Sequence, residues 1–158
     1  MDRMRESVFA CLGDITGLSF LDIFTGSGII ALEAASRGAV NIEAVEQDVK
    51  KRKTLLENAS ISPSLIKCRF MPAELYVKRA KKSFDIIFLD PPFPYQYKWE
   101  LVSEIASSCL VKEKSLILIH RPREDFLKTE IRDLEKKDSR EYGRSVVDFF
   151  CVNKKNNE

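Results

Sequence analysis

Blocks of apolar residues that form short continuous runs alternate along the chain with blocks that have a helical period. The run 84–89 is apolar at nearly every position, which is typical of a parallel strand covered on both faces. Met4, Val8, Phe9 and Leu12 follow the spacing of an amphipathic helix. The predicted strands are 18–22, 41–45, 65–71, 84–89 and 115–120, and the predicted helices are 2–13, 29–37, 48–59, 73–80, 99–110 and 124–128.

The end of the chain has a different pattern. Two more strands are predicted at 131–139 and 145–152, flanking Tyr142-Gly143, which is typical of a hairpin. Strands that alternate with helices before a closing hairpin predict an α/β fold, with a mostly parallel seven-stranded sheet and an antiparallel strand near the C-terminus. The chain has no repeat, linker or low-complexity block, so we predict one domain over 1–158 with a polar tail at 153–158.

Composition and charge leave the class of partner open. The 158 residues include 26 Lys and Arg against 24 Asp and Glu, so the net charge of +2 neither indicates nor excludes a nucleic acid. No apolar run approaches the roughly 20 residues of a membrane span, and the charged N-terminus does not resemble a signal peptide. The four scattered cysteines lack a Cys-x-x-Cys pair, which favours buried thiols over disulfides or zinc. We therefore predict a cytoplasmic protein without a metal.

A glycine turn joins the first strand to the second helix. Gly26, Gly28 and Ala31 fit the Gly-x-Gly-x-x-Ala fingerprint of dinucleotide sites, and Glu46 lies about twenty residues further on, where a ribose-binding carboxylate is expected. Asp22 just before the turn would repel the pyrophosphate of a dinucleotide, but it suits the cationic amino-acid end of S-adenosylmethionine. The pattern therefore favours S-adenosylmethionine over NAD. The competing interpretation is that Asp22 caps the turn or the next helix.

A second motif, Asp90-Pro91-Pro92-Phe93, follows the apolar strand 84–89. It is predicted at the sheet edge where open α/β folds bind ligands. An exocyclic amino group of a base reacts poorly because its lone pair is delocalised, so an enzyme must orient it. The Asp90 carboxylate and the Pro91 carbonyl can accept its two N–H groups, and Phe93 offers a face for stacking. The prolines restrict the loop.

Five motifs, taken in order from residue 2 to about 152, resemble the RsmD-type 16S rRNA guanine-N2 methyltransferases, which are class I enzymes with a Rossmann-like fold. They are 2–9 (Asp-Arg-Met-Arg-Glu-Ser-Val-Phe), 22–28 (Asp-Ile-Phe-Thr-Gly-Ser-Gly), 32–39 (Leu-Glu-Ala-Ala-Ser-Arg-Gly-Ala), 90–93 (Asp-Pro-Pro-Phe) and 140–143 (Arg-Glu-Tyr-Gly). The resemblance implies methyl transfer from S-adenosylmethionine to the N2 of a guanine in small-subunit ribosomal RNA. We also predict a monomer whose partner is ribosomal RNA within a small ribosomal subunit or an assembly intermediate, because the modest net charge predicts weak affinity for free RNA.

The resemblance also assigns roles to individual residues. The cofactor-binding positions are Asp22, Phe24, Gly26, Ser27, Gly28, Glu46 and Ala73, and the catalytic positions are Asp90, Pro91, Pro92 and Phe93.

The sequence departs from the family pattern at two places. The family usually has an arm containing Arg-Pro-Thr before the Asp-Arg that begins here, so either the chain is shortened or its substrate binding differs. Pro72 stands where the family often has Asp or Asn, so the contact to the adenine amino group must be weaker or come from elsewhere.

Further residues follow the predicted strand ends. Tyr95 and Phe93 are predicted to stack on bases of the substrate, and Arg121 and Arg123 to contact phosphate. His120, the only histidine, is predicted to be structural and near the site.

Three other functions stay open. The acceptor could be adenine N6 or a glutamine side chain, because related loops hold planar amino groups in general. The protein could also be a non-catalytic module that binds RNA or helps ribosome assembly. An NAD oxidoreductase is the most distant alternative.

Overall fold

The computed structural model of the protein describes residues 2–154. These residues form two compact units, the first ending at residue 73 and the second beginning at residue 74. The elements, with a 3₁₀ turn at Val49–Lys51, are α1 (Asp2–Leu12), β1 (Ser19–Ile23), α2 (Ile29–Ser36), β2 (Val40–Glu46), α3 (Arg52–Ser60), β3 (Ile66–Phe70), α4 (Ala73–Arg79), β4 (Ile86–Leu89), α5 (Lys98–Ser107), β5 (Leu116–Pro122), β6 (Leu134–Tyr142) and β7 (Ser145–Val152).

In the part of the first unit that is described, β1, β2 and β3 are parallel, and β2 is the middle strand. Asp22 pairs with Ala44, and Glu46 pairs with Phe70. Parallel pairing brings the carboxyl ends of these strands to one edge, and the Thr25 amide donates to the Val45 carbonyl at 3.0 Å. The turn after β1 therefore lies against the end of β2, where Glu46 is located.

In the described part of the second unit, the strand order is β4-β5-β7-β6. β4 and β5 are parallel, with Leu89 opposite Ile119, and β7 is antiparallel to both β5 and β6. Because Leu89 and Ile119 are paired, Asp90, which follows β4, and His120, which is part of β5, lie at the same level. This register brings His120 to the loop that follows β4.

The α/β fold with a mostly parallel seven-stranded sheet is confirmed for residues 2–154. The C-terminal hairpin is also confirmed, and β7 is antiparallel to strands on both sides. The first of its strands runs from 134 to 142 rather than from 131 to 139. That the chain is a single domain remains a prediction, and most of the predicted polar tail lies outside the described residues.

The predicted helix at 124–128 is wrong. This segment is a turn followed by irregular chain. Two groups of α5 bind Asp125 instead: the Lys98 ammonium donates to its carboxylate at 2.7 Å, and the Trp99 indole donates to its carbonyl at 2.9 Å. The Asp125 carbonyl accepts a hydrogen bond from the Trp99 indole rather than from a helical amide, so tertiary contacts shape this loop. The helical spacing of the sequence does not reveal such contacts.

Candidate active site

The turn after β1 is built around Asp22, which is 1% exposed. Its Oδ2 accepts a hydrogen bond from the Thr25 hydroxyl at 2.6 Å and another from the Ala31 amide at 3.1 Å. Asp22 therefore fixes the turn and the first turn of α2, as the capping interpretation predicted. Thr25 lies inside the turn motif, but the sequence alone did not indicate that its hydroxyl binds Asp22.

The two glycines of the turn have left-handed backbone, with φ of +61° at Gly26 and +83° at Gly28. A Cβ on Gly28 would come within 2.5 Å of Leu55 Cδ1, so α3 packs directly on this glycine. At Gly26 the nearest atom to such a Cβ is Lys51 Nζ, 3.9 Å away. The backbone at Gly26 is therefore accessible to a ligand. Phe24 also has a positive φ of 62°, which is uncommon for a residue other than glycine.

Glu46 lies against this turn with 8% of its surface exposed. Its Oε1 accepts from the Gly26 amide at 2.8 Å, and its Oε2 accepts from the Asp48 amide at 2.9 Å. The Met71 amide donates to the Glu46 carbonyl at 3.1 Å, which places the segment leading to Ala73 beside the same strand end. The structure thus brings together the predicted cofactor residues of the turn and Glu46.

An asparagine that the sequence analysis missed supports the turn from outside. The Asn58 side-chain amide donates to the Ser27 carbonyl at 2.7 Å. Asn58 is 31 residues away from Ser27 and has no motif around it, so nothing in the sequence indicated this contact.

The loop after β4 belongs to the second unit. The side chain of Asp90 is 29% exposed, whereas Pro91 is buried. The Tyr95 amide donates to the Pro92 carbonyl at 2.8 Å, which closes the loop around Phe93. Phe93 is left 47% exposed. A carboxylate and an exposed aromatic ring therefore stand three residues apart on a loop with a fixed conformation.

His120 joins this loop to β7. Its Nδ1 lies 2.9 Å from Asp90 Oδ1, and its Nε2 lies 2.8 Å from Ser145 Oγ. Its ring is 5.8 Å from that of Phe93, in an edge arrangement. The sequence placed His120 near the site but gave it no chemical partner. Ser145 was missed because its position depends on the register of β7 against β5, which the hydrophobic pattern does not fix.

Arg121, predicted as a phosphate contact, has a different environment in the structure. It is 5% exposed, and its Nε and Nη2 donate to the two carboxylate oxygens of Asp148 at 2.6 and 3.2 Å. Its Nη1 donates to the carbonyls of Pro122 and Arg123. The guanidinium therefore serves the packing of β5 against β7. The exposed Arg123, which binds Glu141 at 3.0 Å, lies at the surface instead.

A groove of about 1040 Å³ begins at Phe93 and extends along the loops that follow β4 and β5. Four of its lining residues are aromatic: Phe93, Tyr95, Trp99 and Phe126. Phe126 is 53% exposed. The buried Lys98 fixes the walls, since its ammonium donates to the Tyr95 carbonyl at 2.6 Å as well as to Asp125.

Tyr95 is held by its hydroxyl as well as by its backbone. The hydroxyl donates to Glu74 Oε1 at 2.5 Å. Burial and this neighbouring carboxylate raise the pKa of Tyr95 above its ordinary value. The phenol therefore stays neutral, and the ring is a fixed wall of the groove.

Within residues 2–154 no helix is both long and apolar enough to cross a membrane. Over the same range no group of three or more His, Cys, Asp or Glu side chains could hold a metal ion.

Comparisons with known proteins agree with the motifs. A family model described as conserved hypothetical protein 95 matches residues 1–151. Ribosomal RNA small subunit methyltransferase D of Buchnera aphidicola is 31% identical over 122 residues, which are 75% of this chain and 62% of that protein. The putative rRNA methyltransferase YlbH of Bacillus subtilis is 29% identical over 160 residues, which cover 94% of this chain and 84% of that protein.

Among solved structures, a conserved hypothetical protein of Streptococcus pyogenes has a TM-score of 0.88 and 27% identity. The superposition covers 94% of this chain and 95% of that one. The fold, the two motifs and the match over residues 1–151 lead to the same conclusion. The chain belongs to the conserved hypothetical protein 95 family, which is the family of the RsmD-type methyltransferases.

Proposed function

We propose that the protein methylates the N2 amino group of a guanine in small-subunit ribosomal RNA, with S-adenosylmethionine as the methyl donor. The observation that carries this proposal is the loop after β4, where the Asp90 carboxylate is held by His120 beside the exposed ring of Phe93. The names of the relatives, which are rRNA methyltransferases, support the same substrate class.

The side chains and the backbone of the first unit are chemically suited to bind S-adenosylmethionine. Two carboxylates, Asp22 and Glu46, lie at one turn, and a carboxylate attracts the cationic amine of an amino acid and accepts from the hydroxyls of a ribose. The accessible backbone at Gly26 allows a ligand to approach closely. When bound, S-adenosylmethionine supplies an electrophilic methyl group. We assign Glu46 to the ribose, and Phe24, Ser27, Gly28 and Ala73 to the remaining cofactor surface.

The loop that follows β4, in the second unit, orients the amino group that accepts the methyl. Asp90 Oδ1 binds His120, so we assign Oδ2 to one N–H of the amino group and the Pro91 carbonyl to the other. Two acceptors fix the plane of the amine, which directs its lone pair to one side. Phe93 stacks on the base, and Pro92 keeps the loop in its conformation. Asp90 need not be a strong base, because the amine becomes acidic once it is methylated.

The partner that follows from this function is ribosomal RNA within a small subunit or an assembly intermediate, and the enzyme acts as a cytoplasmic monomer. A net charge of +2 gives little general attraction to free RNA, so a structured particle would have to supply further contacts. We assign the groove beside Phe93 to a nucleotide that flanks the target, with Tyr95 as a wall and Arg123 as the phosphate contact.

The test is to incubate the purified protein with S-adenosylmethionine labelled in the methyl group and with small ribosomal subunits from cells that lack the gene. Digestion of the RNA is expected to give label in N2-methylguanosine. Label in N6-methyladenosine, or in protein rather than RNA, would identify another acceptor. Measurable cofactor binding without transfer to any of these would contradict the proposal.

Replacing Glu46 by Gln is expected to weaken the binding of S-adenosylmethionine by about tenfold, since the substitution loses charged hydrogen bonds to a hydroxyl. The amide nitrogen of Gln would also face the amide of either Gly26 or Asp48, where both partners are donors. Titration calorimetry with the cofactor measures the change. The matched control is Glu57→Gln on α3, for which we expect unchanged affinity, and an equal loss in both variants would contradict the assignment.

Replacing Phe126 by Ala is expected to raise KM for the RNA substrate by about tenfold, because stacking of a base on an aromatic ring is lost. The free energy of unfolding should change little, since Phe126 is 53% exposed. Initial rates at varied subunit concentration measure KM. Leu65→Ala, at a residue that is 74% exposed in the other unit, is the control. Equal KM values in the two variants would exclude the groove as a contact for RNA.

A further inference from the structure

We infer that His120 is a positioning residue for methyl transfer: it orients the Asp90 carboxylate and holds a proton between its own Nδ1 and Asp90 Oδ1. The inference rests on the proposed function of Asp90. It assigns to the imidazole a role that the motif Asp90-Pro91-Pro92-Phe93 does not contain.

Ser145 holds the imidazole ring on its other side. Ser145 Oγ lies 2.8 Å from His120 Nε2 and 3.1 Å from the Tyr142 carbonyl. A hydroxyl can both donate and accept, so Ser145 pairs with Nε2 in either tautomer of the ring. The orientation of the imidazole is therefore fixed by the hairpin that joins β6 to β7.

The other ring nitrogen then faces Asp90. Nδ1 and Asp90 Oδ1 are 2.9 Å apart, which is a hydrogen-bond distance, and an unprotonated Nδ1 cannot bind an ionised carboxylate. A proton therefore lies between the two atoms, on either one of them. The contact occupies Oδ1 and leaves Oδ2 as the acceptor that we assign to the amino group.

The surroundings make this contact rigid. His120 is 3% exposed on β5, a strand paired on both sides, so its imidazole stays in place. The Phe93 ring packs edge-on against it. One side chain therefore fixes both the acceptor oxygen and the aromatic ring that we assign to the base. A displacement of about 1 Å in such a group can lower the rate of reaction by about 100-fold.

Two substitutions separate the contact with Asp90 from the contact with Ser145. The side-chain nitrogen of Asn takes the place of Nδ1, so H120N can still donate to Asp90. The amide of Gln extends to the place of Nε2, so H120Q keeps only Ser145. We expect H120Q to lower kcat by about 100-fold with unchanged KM for the subunit and unchanged cofactor affinity, and H120N to restore most of kcat. Equal kcat values in the two variants would overturn the inference.

A spectroscopic test does not depend on activity or on the folding of a variant. His120 is the only histidine in the chain, so the untagged protein labelled with ¹⁵N-histidine gives one pair of ring-nitrogen resonances. We expect the Nδ1 resonance of the wild-type protein to show a hydrogen bond, as the contact with Asp90 requires. An Nδ1 resonance typical of an unprotonated nitrogen without a hydrogen bond would overturn the inference and leave the proposed function intact. Absence of methyl transfer by the wild-type protein would contradict the proposed function instead.

Discussion

Replacing Asp90 by Ala is expected to lower kcat for methyl transfer by about 1000-fold, while the affinity for S-adenosylmethionine stays within about twofold of the wild-type value. The carboxylate is one of two acceptors that we assign to the amino group, and without it the lone pair is no longer directed. Asp90 lies in the second unit, whereas the residues assigned to the cofactor lie in the first. Single-turnover rates with labelled cofactor, together with calorimetric titration, measure the two quantities separately.

The matched control for Asp90→Ala is Asp85→Ala, which removes a carboxylate at the other end of β4. Asp85 forms an ion pair with Lys112 at 2.8 Å, and its side chain is 25% exposed, close to the 29% of Asp90. We expect Asp85→Ala to keep its kcat. A normal kcat in the Asp90 variant would show that this carboxylate takes no part in the proposed chemistry. An equal loss of kcat in both variants would show that any substitution near β4 lowers the activity.

The parts of the site that could be predicted from the sequence are those that depend on parallel topology. The carboxyl ends of β1 and β2 meet at one edge, so the turn at Gly26 and the carboxylate of Glu46 could be placed together without coordinates. Asp90 could likewise be assigned to a strand end. In both cases the position of a residue along its strand determines its neighbours.

The parts that could not be predicted depend on register and on the direction of side chains. His120 binds Ser145 because β7 pairs with β5 in one particular antiparallel register. The apolar pattern of 145–152 is compatible with several registers, so the sequence does not reveal this contact. Arg121 is part of β5, although the predicted strand ends at His120, and its sequence neighbours do not reveal that Asp148 lies within 2.6 Å. A basic residue after a strand was therefore assigned to the surface although it is buried.

Asp148→Ala is expected to lower the free energy of unfolding by about 3–5 kcal/mol, because the substitution leaves the Arg121 guanidinium buried without its carboxylate. Asp148 is fully buried and Arg121 is 5% exposed, so water cannot replace the lost partner. Ser139 Oγ, which donates to Asp148 Oδ1 at 2.5 Å, loses its acceptor as well. Urea unfolding followed by circular dichroism measures the change.

The double variant Arg121→Met with Asp148→Leu distinguishes a structural ion pair from a phosphate contact. Apolar side chains of similar size restore much of the lost stability, since a buried pair contributes little beyond its own desolvation cost. If the pair is structural, the double variant is more stable than Asp148→Ala, and its KM for the ribosomal subunit equals that of the wild type. If Arg121 binds phosphate, KM rises in the double variant whatever its stability. The burial of Arg121 favours the first result, so removal of the exposed Arg123, and not of Arg121, is expected to weaken binding to the subunit.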